Sequence, residues 1–247
     1  MHTIVLATQK GGSGKSTLAI GLALAARHAG FNVRLIETDP QGTLSNWRRR
    51  RTEAEPVVEP IYQACNIEPR LKMLAASGLQ LAIIDTAAGL SAATTAAIRY
   101  SDLCLIPSRP TVADIEATAS TVSVARAWKR PFSFVLNQTP IRGQRLDNAA
   151  NTLAEEAAVE LADVLARPLI AMRNDHQDSL AAGLAVSEFA PGSKSADEIR
   201  GLWHWIETRL NLSTTTNLLI DQVLLAAAGM AHAAAAIRSN DTAMLAS

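Results

Sequence analysis

The sequence predicts an α/β protein, a doubly wound, mostly parallel sheet with helices on both faces. Two observations carry the prediction. Short apolar runs alternate with helix-length segments along most of the chain, and strands that alternate with helices pair in parallel. A glycine cluster, "KGGSGKST" (10–17), separates the first apolar run from the first helical pattern. That is the strand–loop–helix arrangement in which a backbone can cradle phosphate.

Taken in order, "TIVLAT" (3–8) is the first strand. "STLAIGLALAARHAG" (16–30) has helical periodicity and stops at Gly30, a residue suited to ending a helix. "NVRLIET" (32–38), "LQLAIIDT" (79–86), "LCLIPS" (103–108) and "FSFVLNQ" (132–138) are four more strands. Helices are expected over 91–100, 112–128, 144–163 and 194–210, and "ARPLIAMR" (166–173) as a last short strand and loop. The expected domains are 1–210, a single α/β domain, and 211–247, an alanine-rich helical C-terminal extension. Within the extension, "LLIDQVLLAAAGMAHAAAAI" (218–237) has the length of a membrane span. Asp221, Gln222, His232 and the many alanines favour a helix packed on protein instead.

Composition narrows the function. Lys plus Arg and Asp plus Glu both number 23, so the formal net charge is zero. A whole-molecule basic field for nucleic acid is absent, although a local patch is compatible with this balance. Aromatic residues make up 4%, poor material for a base-stacking platform. Hydrophobic residues reach 48%, enough for a sizeable core. Cys65 and Cys104 stand far apart and read as buried or free thiols of a reducing compartment. No secretory signal pattern opens the chain. His204, between Trp203 and Trp205, reads as a packed helix residue.

The chemistry concentrates at the expected carboxyl ends of the strands, where open α/β sheets bind ligands. Backbone N–H groups of Gly11, Gly12, Ser13, Gly14 and Lys15 would face phosphate oxygens. The helix that follows adds its positive dipole end. Lys15 would supply charge to the β and γ phosphates, and the hydroxyl of Ser16, followed by Thr17, suits Mg²⁺. "LAIIDTAAG" (81–89) is an apolar strand that ends in Asp85, placed to hold a water of the metal shell or to bond Ser16. "LIETDPQGTLSNW" (35–47) follows the second strand with Glu37 and Asp39. "WRRRR" (47–51) reads equally as a nucleic-acid patch or as a solvated helix end.

These segments resemble the ParA/MinD family of P-loop ATPases. "KGGSGKST" matches that family's deviant phosphate-loop motif KGGxxK[ST], with Gln9 where the strict motif has its first glycine. The resemblance covers about residues 2–210 and is nearest to the compact, ParF-like ParA partition proteins that lack an N-terminal helix-turn-helix. It implies a P-loop NTPase fold and an ATPase that uses ATP and Mg²⁺ and leaves ADP. Lys10 would act across an ATP-dependent homodimer on the partner's phosphates. Asp39, second acid of the family's DxDPQ turn, would lie near the attacking water and the metal's water shell. Glu37 stands in the first acidic place, with the charge kept and a methylene added. Asn137 would bond the adenine edge, with Ile170 to Arg173 closing the other side of the base.

The resemblance further implies non-specific DNA binding and a centromere-binding or cargo adaptor that stimulates hydrolysis. It implies a cytoplasmic, nucleoid-associated location and the segregation of plasmid, chromosome or protein cargo. Arg142, Arg145, Arg167 and Arg173 lie where family members often place DNA-binding residues. A MinD-like membrane-cycling ATPase and a P-loop ligase or amidotransferase related to cobyrinic acid synthase are the alternatives. The C-terminal "AIRSNDTAMLAS" has one arginine and no clear apolar face, which ranks the membrane reading lower. The DPQ turn and Lys10 argue against the metabolic one.

Overall fold

The computed structural model describes residues 1–140, 149, 151–152 and 164–212. Six strands form one sheet: β1 (His2–Leu6), β2 (Val33–Glu37), β3 (Val57–Pro60), β4 (Leu81–Asp85), β5 (Leu103–Ser108) and β6 (Phe132–Leu136). Their order is β3-β2-β4-β1-β5-β6, and every neighbouring pair is parallel. The central strands read as unbroken apolar runs because both of their faces are covered. Ile4, Val5, Leu6, Leu81, Ala82, Ile83 and Ile84 are all fully buried.

Nine helices surround the sheet among the described residues: α1 (Lys15–His28), α2 (Thr43–Arg50), α3 (Ala64–Ala76), α4 (Ala92–Arg99), α5 (Val112–Glu116), α6 (Thr118–Ala127), α7 (Asp175–Ala181), α8 (Val186–Phe189) and α9 (Lys194–Arg209). α3, α4 and α6 bury Ile67, Leu71, Leu74, Ala97, Ile98, Val122 and Ala125 against one face of the sheet. α1 packs with α8 and α9 as a separate group. Residues Met1–Leu210 form one compact unit.

Several expectations are corrected. Residues 166–173 form no strand; Leu165 and Ala171 make isolated bridges to Phe134 and Thr139. Ala166 and Ile170 still donate their N–H groups to Phe134 and Leu136, but Pro168 between them has no N–H to offer, so the ladder is interrupted. The segment 112–128 is two helices that meet at Ala117. β3 and α3 escaped the sequence reading. β3 is a four-residue edge strand bounded by prolines, and α3 carries Pro69 in its second turn and no side-chain N-cap. His204 is exposed on α9, while its neighbour Trp203 is buried edge-on against Phe31. Cys65 is exposed and Cys104 buried, and both are free. Most of the helix expected over 144–163, and the extension from residue 213 onward, lie outside the described residues.

Candidate nucleotide site

The carboxyl ends of β1, β2, β4 and β6 converge on the loop between β1 and α1. That loop turns through two left-handed residues, Gly12 at φ 72° and Gly14 at φ 88°. At Gly14 the restriction is also spatial, because a Cβ there would stand 2.2 Å from the Asn137 amide nitrogen. Only glycine satisfies both demands. Gly14 caps α1 without any side-chain hydrogen bond, which leaves the first N–H groups of the helix to an anion. Ser13 is buried, and its hydroxyl has no partner among the described residues.

Lys15 is buried at the start of α1. Its ammonium donates to the Lys10 carbonyl at 3.4 Å. Burial lowers its pKa, while the charges of Asp85 and Asp39 pull it back up. Ser16 donates its hydroxyl to Asp85 Oδ2 at 2.6 Å. Thr17 is half-buried. Lys10 itself, with Gln9, Gly11 and Gly12, is exposed on the rim of the loop.

Asp85 is the last residue of β4, in register with Leu6 of β1 and Glu37 of β2. Its carboxyl is wholly buried. Burial raises its pKa to about 7, against the Ser16 hydrogen bond and the Lys15 charge. Asp85 Oδ1 has no hydrogen-bond partner among the described residues. An acid buried with one oxygen unmet is costly unless a cation or its water arrives. The residues therefore fit Mg²⁺. Ser16 would supply a hydroxyl ligand, and Asp85 would hold the metal's water shell with Asp39 nearby. Among the described residues no group of three His, Cys, Asp or Glu side chains gathers into an all-protein metal cage. A hard cation shared between a hydroxyl, waters and phosphate needs none.

Asp39 sits in the turn after β2. Its Oδ1 accepts the Gln41 N–H at 2.9 Å. Thr38 ties the base of that turn to the neighbouring strand by donating both its N–H and its hydroxyl to the Asp85 carbonyl.

A cavity opens on the β6 side, lined by Gly14, Thr17, Leu18, Asn137, Gln138 and the segment Ile170–Arg173, with His176 and Gln177 of α7. Asn137 donates its amide to the Ser13 carbonyl at 2.8 Å, and Gln138 donates to the Gly12 carbonyl at 2.8 Å. The two side chains together hold the phosphate loop from the sheet edge. Asn137 Oδ1 also accepts the Gln138 N–H. One amide hydrogen and one lone pair remain to it for a ligand. Sequence reasoning missed Gln138 and His176. The signal for Gln138 was its place beside Asn137 at a strand end; no motif marks His176.

The arginines separate into two groups. Arg51 is buried and bidentate to Glu188 at 2.7 Å on both nitrogens. Glu188 is half-buried, and through this pair Arg51 ties the end of α2 to α8. Arg173 is paired with Glu198 at 2.7 Å. Arg50 donates Nε to the Leu180 carbonyl. Arg49 and Arg50 remain exposed on α2. Arg167 is exposed and shares a groove with His204, Trp205 and Arg209. Arg142 and Arg145 lie outside the described residues.

The family model described as the CobQ/CobB/MinD/ParA nucleotide binding domain matches residues 4–178. The chain is 35% identical over 124 residues to the maintenance of carboxysome distribution protein A of Gloeobacter kilaueensis, covering 49% of this chain and 55% of that protein. It is 29% identical over 126 residues to protein ParA of Rhizobium radiobacter, covering 50% of this chain and 56% of that protein. It thus spans about half the length of these curated relatives. The septum site-determining protein MinD of Pyrococcus horikoshii, solved with Mg-ADP, shares the fold at a TM-score of 0.65 and 17% identity, over 83% of this chain and 96% of that one.

Proposed function

The chain belongs to the CobQ/CobB/MinD/ParA nucleotide-binding family, and from that premise we propose that it is a Mg²⁺-dependent ATPase of the partition and positioning class. The observation that carries the reading is the convergence of Lys15, Ser16 and Asp85 at one loop, with a buried carboxylate oxygen left unmet. The carboxysome-distribution and ParA relatives support the positioning class, and the Mg-ADP complex of the MinD neighbour supports the nucleotide.

When bound, Mg²⁺ would neutralise charge developing on the phosphates. Lys15 and the N–H groups from Gly11 to Lys15 hold the phosphates. Asp39 orients the attacking water. Asn137 and the Ile170–Arg173 wall hold the base. Catalysis of this kind is mostly positioning and electrostatic stabilisation.

Lys10 acts from the partner copy of an ATP-dependent homodimer. Its exposure on the loop rim supports this, because a lysine from each side offsets the charge of a triphosphate enclosed between subunits. The dimer binds DNA without sequence preference through exposed arginines, with Arg49, Arg50, Arg167 and Arg209 the candidates. A cargo adaptor stimulates hydrolysis, and the protein works on the nucleoid in the cytoplasm.

Lys10→Ala tests the reading. The variant should bind ATP like wild type, stay monomeric in sedimentation with a non-hydrolysable ATP analogue, and lose turnover and ATP-dependent DNA retention together. Wild-type DNA affinity should fall steeply with salt. A variant that dimerises normally overturns the role of Lys10, and equal DNA binding with ADP and ATP overturns the nucleotide-gated DNA cycle.

A further inference from the structure

We propose that Glu37 is a positioning residue, a remote N-terminal cap of α2 whose reach sets the place of Asp39. The inference rests on the ATPase reading above only for its kinetic consequence.

The helix α2 begins badly by its own means. Its N-cap is Gly42, at φ 68° and without a side chain, so no local group meets the first N–H donors. Serine, threonine, aspartate or asparagine usually does that work by accepting from the second or third helical N–H. Here the acceptor comes from the end of β2. Glu37 is fully buried. Its Oε1 accepts the Leu44 N–H at 2.6 Å and the Ser45 N–H at 3.2 Å. Its Oε2 accepts the Ser45 hydroxyl. Leu44 and Ser45 are the second and third residues of α2, the positions that an N-cap serves. A carboxylate there also meets the positive end of the helix.

The chain thus leaves Glu37, runs through Thr38, Asp39, Pro40, Gln41 and Gly42, and returns to the carboxylate of Glu37 itself. The short loop is closed by one side chain and contains Asp39. Among the described residues two ties lie inside the loop, the Asp39–Gln41 turn and the Gly42 N–H donated to the Asp39 carbonyl. Thr38 anchors the base to β4. Glu37 anchors the far end, and α2 is in turn fixed by Trp47, whose indole donates to the Leu184 carbonyl, and by Arg51 on Glu188.

The length of the side chain is therefore the functional property. Three donors of α2 occupy the carboxylate, out of about four acceptor positions, so capping is the role its contacts show. Aspartate would keep the charge and fall short by about one C–C bond, ~1.5 Å. Glutamine would keep the reach. Its carbonyl can accept from Leu44 and Ser45, and its amide can donate to the Ser45 hydroxyl, which accepts as readily as it donates. A metal-binding or proton-carrying carboxylate ranks the same two substitutions in the opposite order.

The experiment compares Glu37→Gln and Glu37→Asp in the full chain. Hydrogen exchange of the Leu44 and Ser45 amides is followed without nucleotide, and kcat and KM for ATP are measured per nucleotide-binding site. Glu37→Asp should lose protection at both amides and lose kcat by about tenfold or more with KM for ATP unchanged, since a displacement of ~1 Å at a reacting group can cost up to about a hundredfold. Glu37→Gln should keep protection and turnover near wild type. Retained turnover in the aspartate variant with loss in the glutamine variant overturns the proposal, as does full protection of both amides in Glu37→Asp. If Glu37→Asp does not fold, Glu37→Gln decides: protection with turnover supports the cap, and protection without turnover overturns it. Absence of turnover in wild type would count against the ATPase reading alone, and the ranking of amide protection would still measure Glu37.

Discussion

The carboxyl ends of β2 and β4 lie side by side, and each brings an aspartate within electrostatic reach of Lys15, but they hold it by different means. Asp85 belongs to the strand itself. It is fixed by the ladders to β1 and β2, wholly buried, and has one oxygen unmet among the described residues. Asp39 stands two residues beyond its strand, half-exposed, on a loop closed by Thr38 and Glu37. One acid is held by the sheet in an environment that disfavours its charge until a cation comes. The other is held by side chains and stays open to water. A strand end gives rigidity and burial together, whereas a turn can give position without burial. A metal-side acid needs the first, and a group that orients water needs the second.

Lys15→Ala removes the cation common to both acids and should have the largest effect. Nucleotide affinity should fall by about 3 kcal/mol, roughly a hundredfold, as read by calorimetric titration with ATP. Unchanged affinity would remove the phosphate-loop assignment from which the comparison starts.

Asp85→Asn tests the buried side. The folded-state pKa of Asp85 is raised to about 7, above that of the unfolded chain at about 4, so between these values the folded protein binds the extra proton. Stability of the nucleotide-free protein from this group therefore falls as pH rises through that window and stays low above it. Asparagine abolishes the fall. The melting temperature of the variant should exceed that of wild type by several degrees at pH 8 and by clearly less at pH 5, at roughly 2–4 °C per kcal/mol relieved. The Mg²⁺-dependent part of nucleotide binding should weaken on the order of tenfold. An equal shift at both pH values would show that the buried charge is not the cause.

Asp39→Ala should have the smallest effect on affinity and the sharpest on turnover. ATP binding should stay near wild type, because Lys15 and the loop N–H groups are untouched. Hydrolysis should be lost, leaving a persistent ATP dimer in sedimentation. A variant that hydrolyses ATP normally would show that the open turn carries structure alone.

The strand ends and the phosphate loop were legible in the sequence for a physical reason. A buried parallel strand must be an unbroken apolar run, so its polar end is conspicuous, as in "LAIIDT" and "TIVLAT". A loop that packs its backbone around phosphate must be rich in glycine. β3 and α3 were not legible, since a four-residue edge strand between prolines and a helix with an internal proline carry weak local signals. Tertiary neighbours hold them in place. The arginine run 47–51 had two readings because local sequence gives no partner, and only the fold set Glu188 against Arg51 while leaving Arg49 exposed.

By itself the sequence determined the sheet class, and it singled out the glycine-rich loop with Lys15, Ser16, Asp39 and Asp85 as the candidate site. These depend on periodicity and on chemistry carried within a few neighbouring residues. The tertiary structure alone decided that Asp85 has an oxygen unmet among the described residues, that Asn137 and Gln138 grip the loop from 124 and 126 residues away, and that Glu37 turns back to cap α2. Burial and hydrogen-bond partnership across the chain are properties of distance in space, and spacing along the sequence does not encode them.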